Sequence, residues 1–532
     1  MTLLAVPITS QTTERALADV ERAVGRSAAD AVEFRLDYLR QVDLPKVMGA
    51  VPDDVKVIVT ARDPGEGGVW DLDDHERIAA LVDAARMRPD YIDIELATWR
   101  RCPDAADKLA PLIDGPPGRP GQDRSCRLIL SAHDFDRRPV DLDDLLAGLA
   151  SEPCHVAKIV WQAESICDVY ACFELMRSGR DGKPVIAIAM GEAGVVSRIL
   201  AKKFGAFLSF AAIDEGAESA PGQIGVEAMK RLYRWDQIGA DTAVYGVIGC
   251  PIMHSMSPAI HNAAMGQCGV DAVYVPLRIE PGYENFEAFV RGAMDRPWMD
   301  LRGLSVTIPH KENALRFVDQ LAQAGDRPDA IEPLARQIGA VNTIVFDGPG
   351  ELRGLNTDYA AALDALTDAM GCARTDLSDE PVAVLGAGGA SRAIVAGLRH
   401  CGCQVTIYNR TYSRAEALAD EFDCRAEPLE RAADLQARIV VNTTSLGMHP
   451  NVDQTPLPAD ALRPGMVVFD NVYNPMETRL LREAAEIGCL TVSGVDMFVN
   501  QAVAQFEAWT HLSAPRELMR QVVVESLTSK GR

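Results

Sequence analysis

The groups able to do chemistry in the first half of this chain lie within or at the ends of short apolar runs, where they lose hydration. Lys158 stands in the middle of His-Val-Ala-Lys-Ile-Val-Trp. Burial disfavours its ammonium and leaves an amine that can attack a ketone. The plainer readings are a lysine paired with Glu33 or Glu95, or one whose stem carries the charge up to the rim of the fold. His133 closes another run next to Asp134 and reads either as a core histidine or as an acid/base group. Glu33, Arg35 and Asp37 end a third run, Arg62 follows a fourth, and Asp93 and Glu95 lie inside a fifth. A lysine and a histidine in such company point to imine chemistry coupled to proton transfer.

A different chemistry marks the second half. Pro381-Val-Ala-Val-Leu is an apolar run followed by Gly386, Ala387, Gly388, Gly389 and Ala390, and then by a helix-like segment that starts with small residues. Such a turn lets backbone amides approach a pyrophosphate at a helix N-terminus. The next run ends in Asn409-Arg410-Thr411, with Arg414 a helical turn further on. An NAD site usually has an acid there for the ribose; two guanidiniums suit a 2'-phosphate, so NADP is the expected cofactor. The plainer reading is two arginines at a solvated helix start. Ser255, Ser257, Lys311, Asn342 and Asp358 each follow or end a strand-like run. Brought together, Lys311 and Asp358 can pass a proton to an alkoxide as hydride is transferred; apart, they are surface ion-pair residues.

The elements that must position the first set are the strand-length runs Leu3 to Thr9, Ala31 to Leu36, Val55 to Ala61, Tyr91 to Leu96, Arg127 to His133, Val156 to Trp161, Val185 to Met190 and Ala206 to Ala211. Amphipathic stretches such as Glu76 to Arg86, Leu142 to Leu149 and Ile166 to Met176 separate most of them. Strand then helix, repeated through residues 1–235, predicts a (β/α)8 TIM barrel, where chemistry gathers at the C-terminal ends of the strands. The join, Arg231 to Gly249, has the length of an ordinary connection rather than of a tether.

Bulk properties narrow the partners. A chain of 532 residues, 48% of them hydrophobic, is long enough for more than one core. A net charge of -23 with no basic run argues against nucleic acid or an anionic membrane. No apolar run approaches the roughly 18 residues of a spanning helix, and MTLLAVPITS reads as a first strand, so a cytoplasmic protein is expected. The twelve cysteines form no disulfide framework, and neither they nor the nine scattered histidines show metal-ligand spacing.

Several motifs follow one another along the first half: EFRLD (Glu33 to Asp37), TARDPGEGG (Thr60 to Gly68), IDIEL (Ile92 to Leu96), SAHDF (Ser131 to Phe135), AKI (Ala157 to Ile159), MGEAGVVSR (Met190 to Arg198) and SAPGQ (Ser219 to Gln223). In that order they resemble the type I 3-dehydroquinate dehydratases. The resemblance implies that Lys158 forms a Schiff base with the substrate ketone, that His133 moves the protons of the dehydration and that Glu66 orients His133. It also implies that Arg62, Arg198, Ser219 and Gln223 hold the carboxylate and hydroxyls, with Glu33, Arg35 and Phe210 completing the pocket. The stretch from Phe210 to Ser219 is longer than the usual spacing, so the loop over the site is expected to close differently. Ile188 stands where many relatives have methionine, a change expected to matter little.

The second half similarly resembles the shikimate dehydrogenases, through YGVIGCPIMHSMSP, SVTIPHK, GAVNTIV, GLNTD, NTTSLGM, DNVYNP and GVDMFVNQA. The implied catalytic pair is Lys311 and Asp358, with Ser255, Ser257, Thr307, Asn342, Tyr473 and Gln501 around the substrate. On the cofactor side, Thr443, Gly494 and Met497 join the glycine turn and the Asn409–Arg414 segment. The implied substrate domain is an α/β unit of residues 240–357 and 494–532, with a Rossmann NADP domain, 358–493, inserted. Alanine at 360 and 361, where that family often has glycine, leaves the local helix packing open. Since 3-dehydroshikimate is the product of the first family and the substrate of the second, the whole chain resembles the bifunctional dehydratase and shikimate dehydrogenases of plants and some bacteria. Its expected partners are these small molecules. Two rivals stay open: a second half that reduces 3-dehydroquinate directly as a quinate dehydrogenase, and a barrel that serves only as a scaffold.

Overall fold

Alternation within the first eight strands sorts their side chains between two cores. In the computed structural model, which describes residues 2–26, 28–39, 41–113, 126–178, 182–348 and 350–529, these strands are β1 (Leu3–Ile8), β2 (Ala31–Arg35), β3 (Lys56–Thr60), β4 (Tyr91–Glu95), β5 (Arg127–Asp134), β6 (Val156–Gln162), β7 (Val185–Met190) and β8 (Leu208–Phe210). They pair in parallel in the order β7-β6-β5-β4-β3-β2-β1-β8. The Phe207 amide donates to the Val185 carbonyl at 2.8 Å, which draws the two edges together into a barrel. One parity, including Ala31, Ile58, Ile129, Val156, Val160 and Phe210, meets inside the barrel. The other, including Val32, Phe34, Val57, Ile159 and Trp161, packs outside under the helices. A period of two therefore puts Lys158, between Val156 and Val160 on either side, on the inner face.

The second half holds two further sheets. The first is mixed: β9 (Ala243–Gly249), β10 (Ala272–Arg278), β11 (Leu301–Val306), β12 (Thr343–Gly348) and β13 (Glu351–Leu355), in the order β10-β9-β11-β12-β13, with antiparallel pairing only at β11-β12 and β12-β13. The second is parallel: β14 (Pro381–Leu385), β15 (Gln404–Asn409), β16 (Arg425–Pro428), β17 (Ile439–Asn442), β18 (Val467–Asp470) and β19 (Leu490–Ser493), in the order β16-β15-β14-β17-β18-β19. Strand order reverses between β14 and β17, the position where open α/β sheets bind ligands beyond their strand ends. The helix Gly494–Thr510 and the helix Arg516–Ser529 return to the mixed sheet, where Val499, Phe506, Trp509 and Val523 share a core with Tyr245 and Val247. Ala361 is buried in the helix Thr357–Met370, and its carbonyl accepts from Asn500, so alanine at that place is accommodated.

The join is built into the fold. Trp235 within it is 1% exposed. Lys202 donates to the carbonyls of Trp235 and Asp236, and Lys203 to those of Ala240 and Thr242. Beyond the join, Tyr170 of the barrel stacks on Phe289 at 5.8 Å, and Trp298 meets Phe204 edge-on at 5.5 Å. One apolar cluster runs from the barrel helices into the mixed sheet.

Candidate active sites

In the barrel, the inner face of the strands changes from apolar to charged toward their C-terminal ends. Lys158 on β6 donates to Asp93 on β4 at 2.8 Å, lies 4.0 Å from Glu33 and points its ammonium over the Phe210 ring at 4.7 Å. Neither expected partner, Glu33 or Glu95, is the close one, because the stagger across β5 brings Asp93 to the level of Lys158. The side chain is thus paired across the barrel with Asp93. Burial alone would raise Asp93, but Arg62 and Lys158 outweigh it and hold the carboxyl far below the usual range. Arg62 is committed as well: it donates to Glu95, to Ser131 and to Asp93 at 2.8, 2.7 and 3.0 Å. Arg35 is held in both directions by Asp37, at 2.9 and 2.7 Å, and Glu33 accepts from Thr60 at 2.7 Å.

His133 ends its run on β5, where its ring Nδ1 lies 2.9 Å from Glu66 Oε2 and its amide donates to the same oxygen at 2.9 Å. Glu66 ends the short turn Pro64–Glu66, and Gly67, at φ 87° and against the Phe135 ring, permits the chain to leave it. Burial, then the cations Arg62 and Lys158, push the imidazole well below its ordinary value, so His133 is a neutral base. Burial and nearby Glu95 push Glu66 up to about 7. Paired through Nδ1, His133 keeps Nε2 for a substrate.

Arg198 differs from the other arginines. It is 2% exposed, donates only to the Pro221 carbonyl at 3.3 Å, and its Nε has no partner among the described residues. Burial lowers it to about 10, with no carboxylate to oppose the loss of hydration. Ser219 and Gln223, which bond each other, line one cavity with Arg198, Lys158, His133 and Glu66, and Glu33, Arg35, Arg62, Phe210 and Ile188 complete it. The extra length before Ser219 is taken up by exposed residues 214–218, so Ser219 and Gln223 still reach the cavity.

In the second half, Lys311 begins the helix Lys311–Ala324 and donates to Asp358 Oδ2 at 2.5 Å; Asn342 donates to the other oxygen of Asp358 at 2.8 Å. The Ser257 amide donates to the Ser255 hydroxyl, and the Thr307 methyl fills the space a side chain at Gly249 would need. Tyr473 stacks on Phe498 at 4.9 Å, and Gln501 donates to the Phe498 carbonyl. Among the described residues no direct hydrogen bond joins these three groups.

At the glycine turn, Gly386 has φ 115° and packs where a side chain would meet the Thr443 hydroxyl at 2.6 Å. Added side-chain atoms at Gly388 and Gly389 would meet nothing within 4 Å, and the helix Gly389–His400 starts there, so the turn presents an open helix N-terminus between Ala387 and Ala390. Thr443 and Ser391 bond each other at 2.6 Å and brace it. Asn409 bonds the Thr411 carbonyl, while Arg410 and Arg414 are exposed and in no ion pair among the described residues. Gly494 abuts the Asn471 and Val472 carbonyls, and Met497 is 7% exposed. An anionic dinucleotide with a further phosphate fits this donor set.

Known proteins bear on both sites. Residues 4–240 match the family profile of type I 3-dehydroquinase, 247–344 that of the shikimate dehydrogenase substrate binding domain, 370–455 that of shikimate / quinate 5-dehydrogenase, and 494–524 that of the shikimate 5'-dehydrogenase C-terminal domain. The bifunctional 3-dehydroquinate dehydratase/shikimate dehydrogenase of Arabidopsis thaliana, a chloroplastic protein, is 37% identical over 98% of this chain and 84% of its own. The chain belongs to that bifunctional family. A shikimate dehydrogenase (NADP(+)) of Methanosarcina acetivorans is 44% identical over 53% of this chain and 98% of its own.

Within the dehydratase half, the structure adds Asp93 and Ser131 to the expected residues. Ser131 donates to Asp93 at 2.6 Å and so completes the cradle of the Lys158 ion pair. Both are visible in sequence only as polar residues of the inward parity, a sign that does not say which side chains meet.

Proposed function

We propose that the chain converts 3-dehydroquinate to 3-dehydroshikimate in the barrel, and 3-dehydroshikimate to shikimate with NADPH in the second half. The observation that carries the dehydratase reading is the unpaired, buried Arg198 in the same cavity as Lys158 and the His133–Glu66 pair. A substrate carboxylate supplies the missing counter-charge and sets the ketone toward Lys158. Lys158 gives up a proton and attacks the carbonyl, whose oxygen leaves as water; ammonium and ketone thus become iminium and water with no net proton taken from solvent. The iminium acidifies C2, and His133 Nε2 takes that proton. The C1 hydroxyl then leaves with it as water, and a further water releases the product and restores Lys158.

In the reductase half, Gly388, Gly389 and Thr443 hold the pyrophosphate region, and Arg410 and Arg414 the 2'-phosphate. NADPH, when bound, supplies the hydride. Lys311 gives a proton to the alkoxide formed at the substrate, and Asp358, held by Asn342, keeps the ammonium in place before the transfer. Ser255 and Ser257 take the carboxylate, with Thr307, Tyr473 and Gln501 around the ring. The units are residues 1–235, then 240–357 with 494–532, and 358–493. The quinate alternative is not favoured, since the Methanosarcina acetivorans relative matched by the second half at 44% identity is a shikimate dehydrogenase (NADP(+)). No helix among the described residues is long and apolar enough to cross a membrane. All twelve cysteines are free, which supports a reducing compartment such as the cytoplasm.

The test is the mass of the product formed from 3-dehydroquinate and NADPH alone. Shikimate is expected; quinate, reduced without loss of water, would overturn the reading. Borohydride reduction during turnover is expected to fix substrate on Lys158, and a Lys158→Met protein that still dehydrates would exclude the Schiff base.

A further inference from the structure

Asn342 touches the catalytic Asp358, and what holds Asn342 lies deeper in the fold. Its Oδ1 accepts from the Thr357 amide at 2.8 Å, from the Thr343 hydroxyl at 2.8 Å and from the Thr357 hydroxyl at 3.3 Å, and its Nδ2 donates to the Thr357 hydroxyl at 3.0 Å as well as to Asp358. Thr357 holds the amide from the start of one helix, and the Thr343 hydroxyl holds it from β12, so the amide plane is fixed from two elements rather than one. The direction of the second bond depends on Gln505. Gln505 Nε2 donates to the Thr343 oxygen at 3.1 Å, so that hydroxyl is driven to donate onward to Asn342. Gln505 Oε1 in turn accepts from Ser305 at 2.8 Å, and Ser305 accepts from the Tyr274 hydroxyl at 2.7 Å. Every donor in the series points the same way, from Tyr274 toward Asp358.

The series is buried as well as aligned. Tyr274, Thr343, Asn342 and Gln505 are all 2% exposed or less, and Ser305 is 6% exposed. A break in it leaves a buried polar group unpaired, which is costly where no water can replace the partner. Gln505 is the one residue that joins the two ends: it sits on the helix Gly494–Thr510, one turn beyond Gln501, and bridges β11 to β12.

We infer that Gln505 is a positioning residue of the reductase, which completes a buried hydrogen-bond series from Tyr274 to Asp358 and thereby fixes the Asn342 amide against the Lys311–Asp358 pair. This rests on the reading of Lys311 and Asp358 as the reductase pair. Gln505 touches neither of them, so its effect passes through Thr343 and Asn342.

The experiment measures the reductase with 3-dehydroshikimate and NADPH, and the dehydratase of the same preparation as a control of folding. In Gln505→Met the reductase kcat is expected to fall ~10- to 100-fold, as small misplacements at catalytic groups do, with KM changed less than about threefold because the serines that take the carboxylate are untouched. Thr343→Val, which keeps the shape and removes the hydroxyl, is expected to match that loss, and Thr343→Ser to restore the rate. The Gln505→Met/Thr343→Val double variant is expected to be no worse than either single one, since both break the same series. Wild-type kcat in Gln505→Met, additive losses in the double variant, or an active Thr343→Val protein overturns the inference. Lys311→Met and Asp358→Asn separate the two levels: if these keep reductase activity, the underlying reading fails, whereas if they lose it and Gln505→Met does not, only the inference fails.

Discussion

Arg198→Met should change stability and activity in opposite directions. The guanidinium is buried without a carboxylate partner among the described residues, and its fall to about 10 is more than two powers of ten in proton affinity. At about 1.4 kcal/mol for each power of ten, the folded chain carries a penalty on the order of 3 kcal/mol at neutral pH, where the arginine is charged in both states. Methionine removes that penalty and forfeits the single bond to the Pro221 carbonyl, which contributes about 1 kcal/mol. The net change is a stabilisation of roughly 2 kcal/mol, or a rise of a few degrees in Tm. The same substitution deletes the one cation of the pocket that has no carboxylate partner among the described residues, so the dehydratase KM should rise about 100-fold or more, from the several kcal/mol that a buried charge pair contributes to binding. Differential scanning fluorimetry and initial rates on one preparation read both numbers, with the reductase, fed 3-dehydroshikimate directly, as the unaffected reference. A lower Tm would mean that the arginine is structural, and an unchanged KM would mean that the carboxylate binds elsewhere; either result refutes the reasoning.

Glu66, raised to about 7, binds a proton more tightly in the folded chain, so its contribution to stability is present below the ordinary carboxylate value and is lost as pH rises through 7. Urea unfolding from pH 4.5 to 8 should show this fall in the wild type and a flatter profile in Glu66→Gln. The same carboxylate must ionise to hold His133 Nδ1–H, so the dehydratase kcat/KM should rise through pH 7, and that limb should vanish in Glu66→Gln. Replacing Arg410 and Arg414 by alanine should raise the KM for NADPH tenfold or more, at roughly 1–3 kcal/mol for each charge-assisted bond, and leave that for NADH nearly unchanged in steady-state assays. Trp298→Ala removes the ring held by Phe204 and by Arg177 at 4.2 Å and should destabilise the chain by ~2–3 kcal/mol, lowering the thermal inactivation midpoints of both activities together.

What could be read from the chain follows the reach of its interactions. The eight strands, the glycine turn and the two arginines Arg410 and Arg414 just after the second strand of the nucleotide unit are local patterns, each set by a period of two or by neighbours within a turn. Parity alone put Lys158 on one face with Val156 and Val160. It could not say that the lysine meets Asp93 rather than Glu33 or Glu95, because that depends on the stagger of β4 against β6 across an intervening strand. The motif resemblance named His133 and Glu66 together, but their 2.9 Å contact exists only because the turn at Gly67 folds back under β5. Arg62, Arg35 and Arg198 look alike in sequence, and only the tertiary structure shows that the first two are neutralised while the third waits for a counter-charge. Gln505 is the clearest case of what sequence hides: on an amphipathic helix it is one more polar residue four places after Gln501. Its role arises because β11, β12 and that helix converge in a buried space, where each hydrogen bond must find its partner from a distant part of the chain.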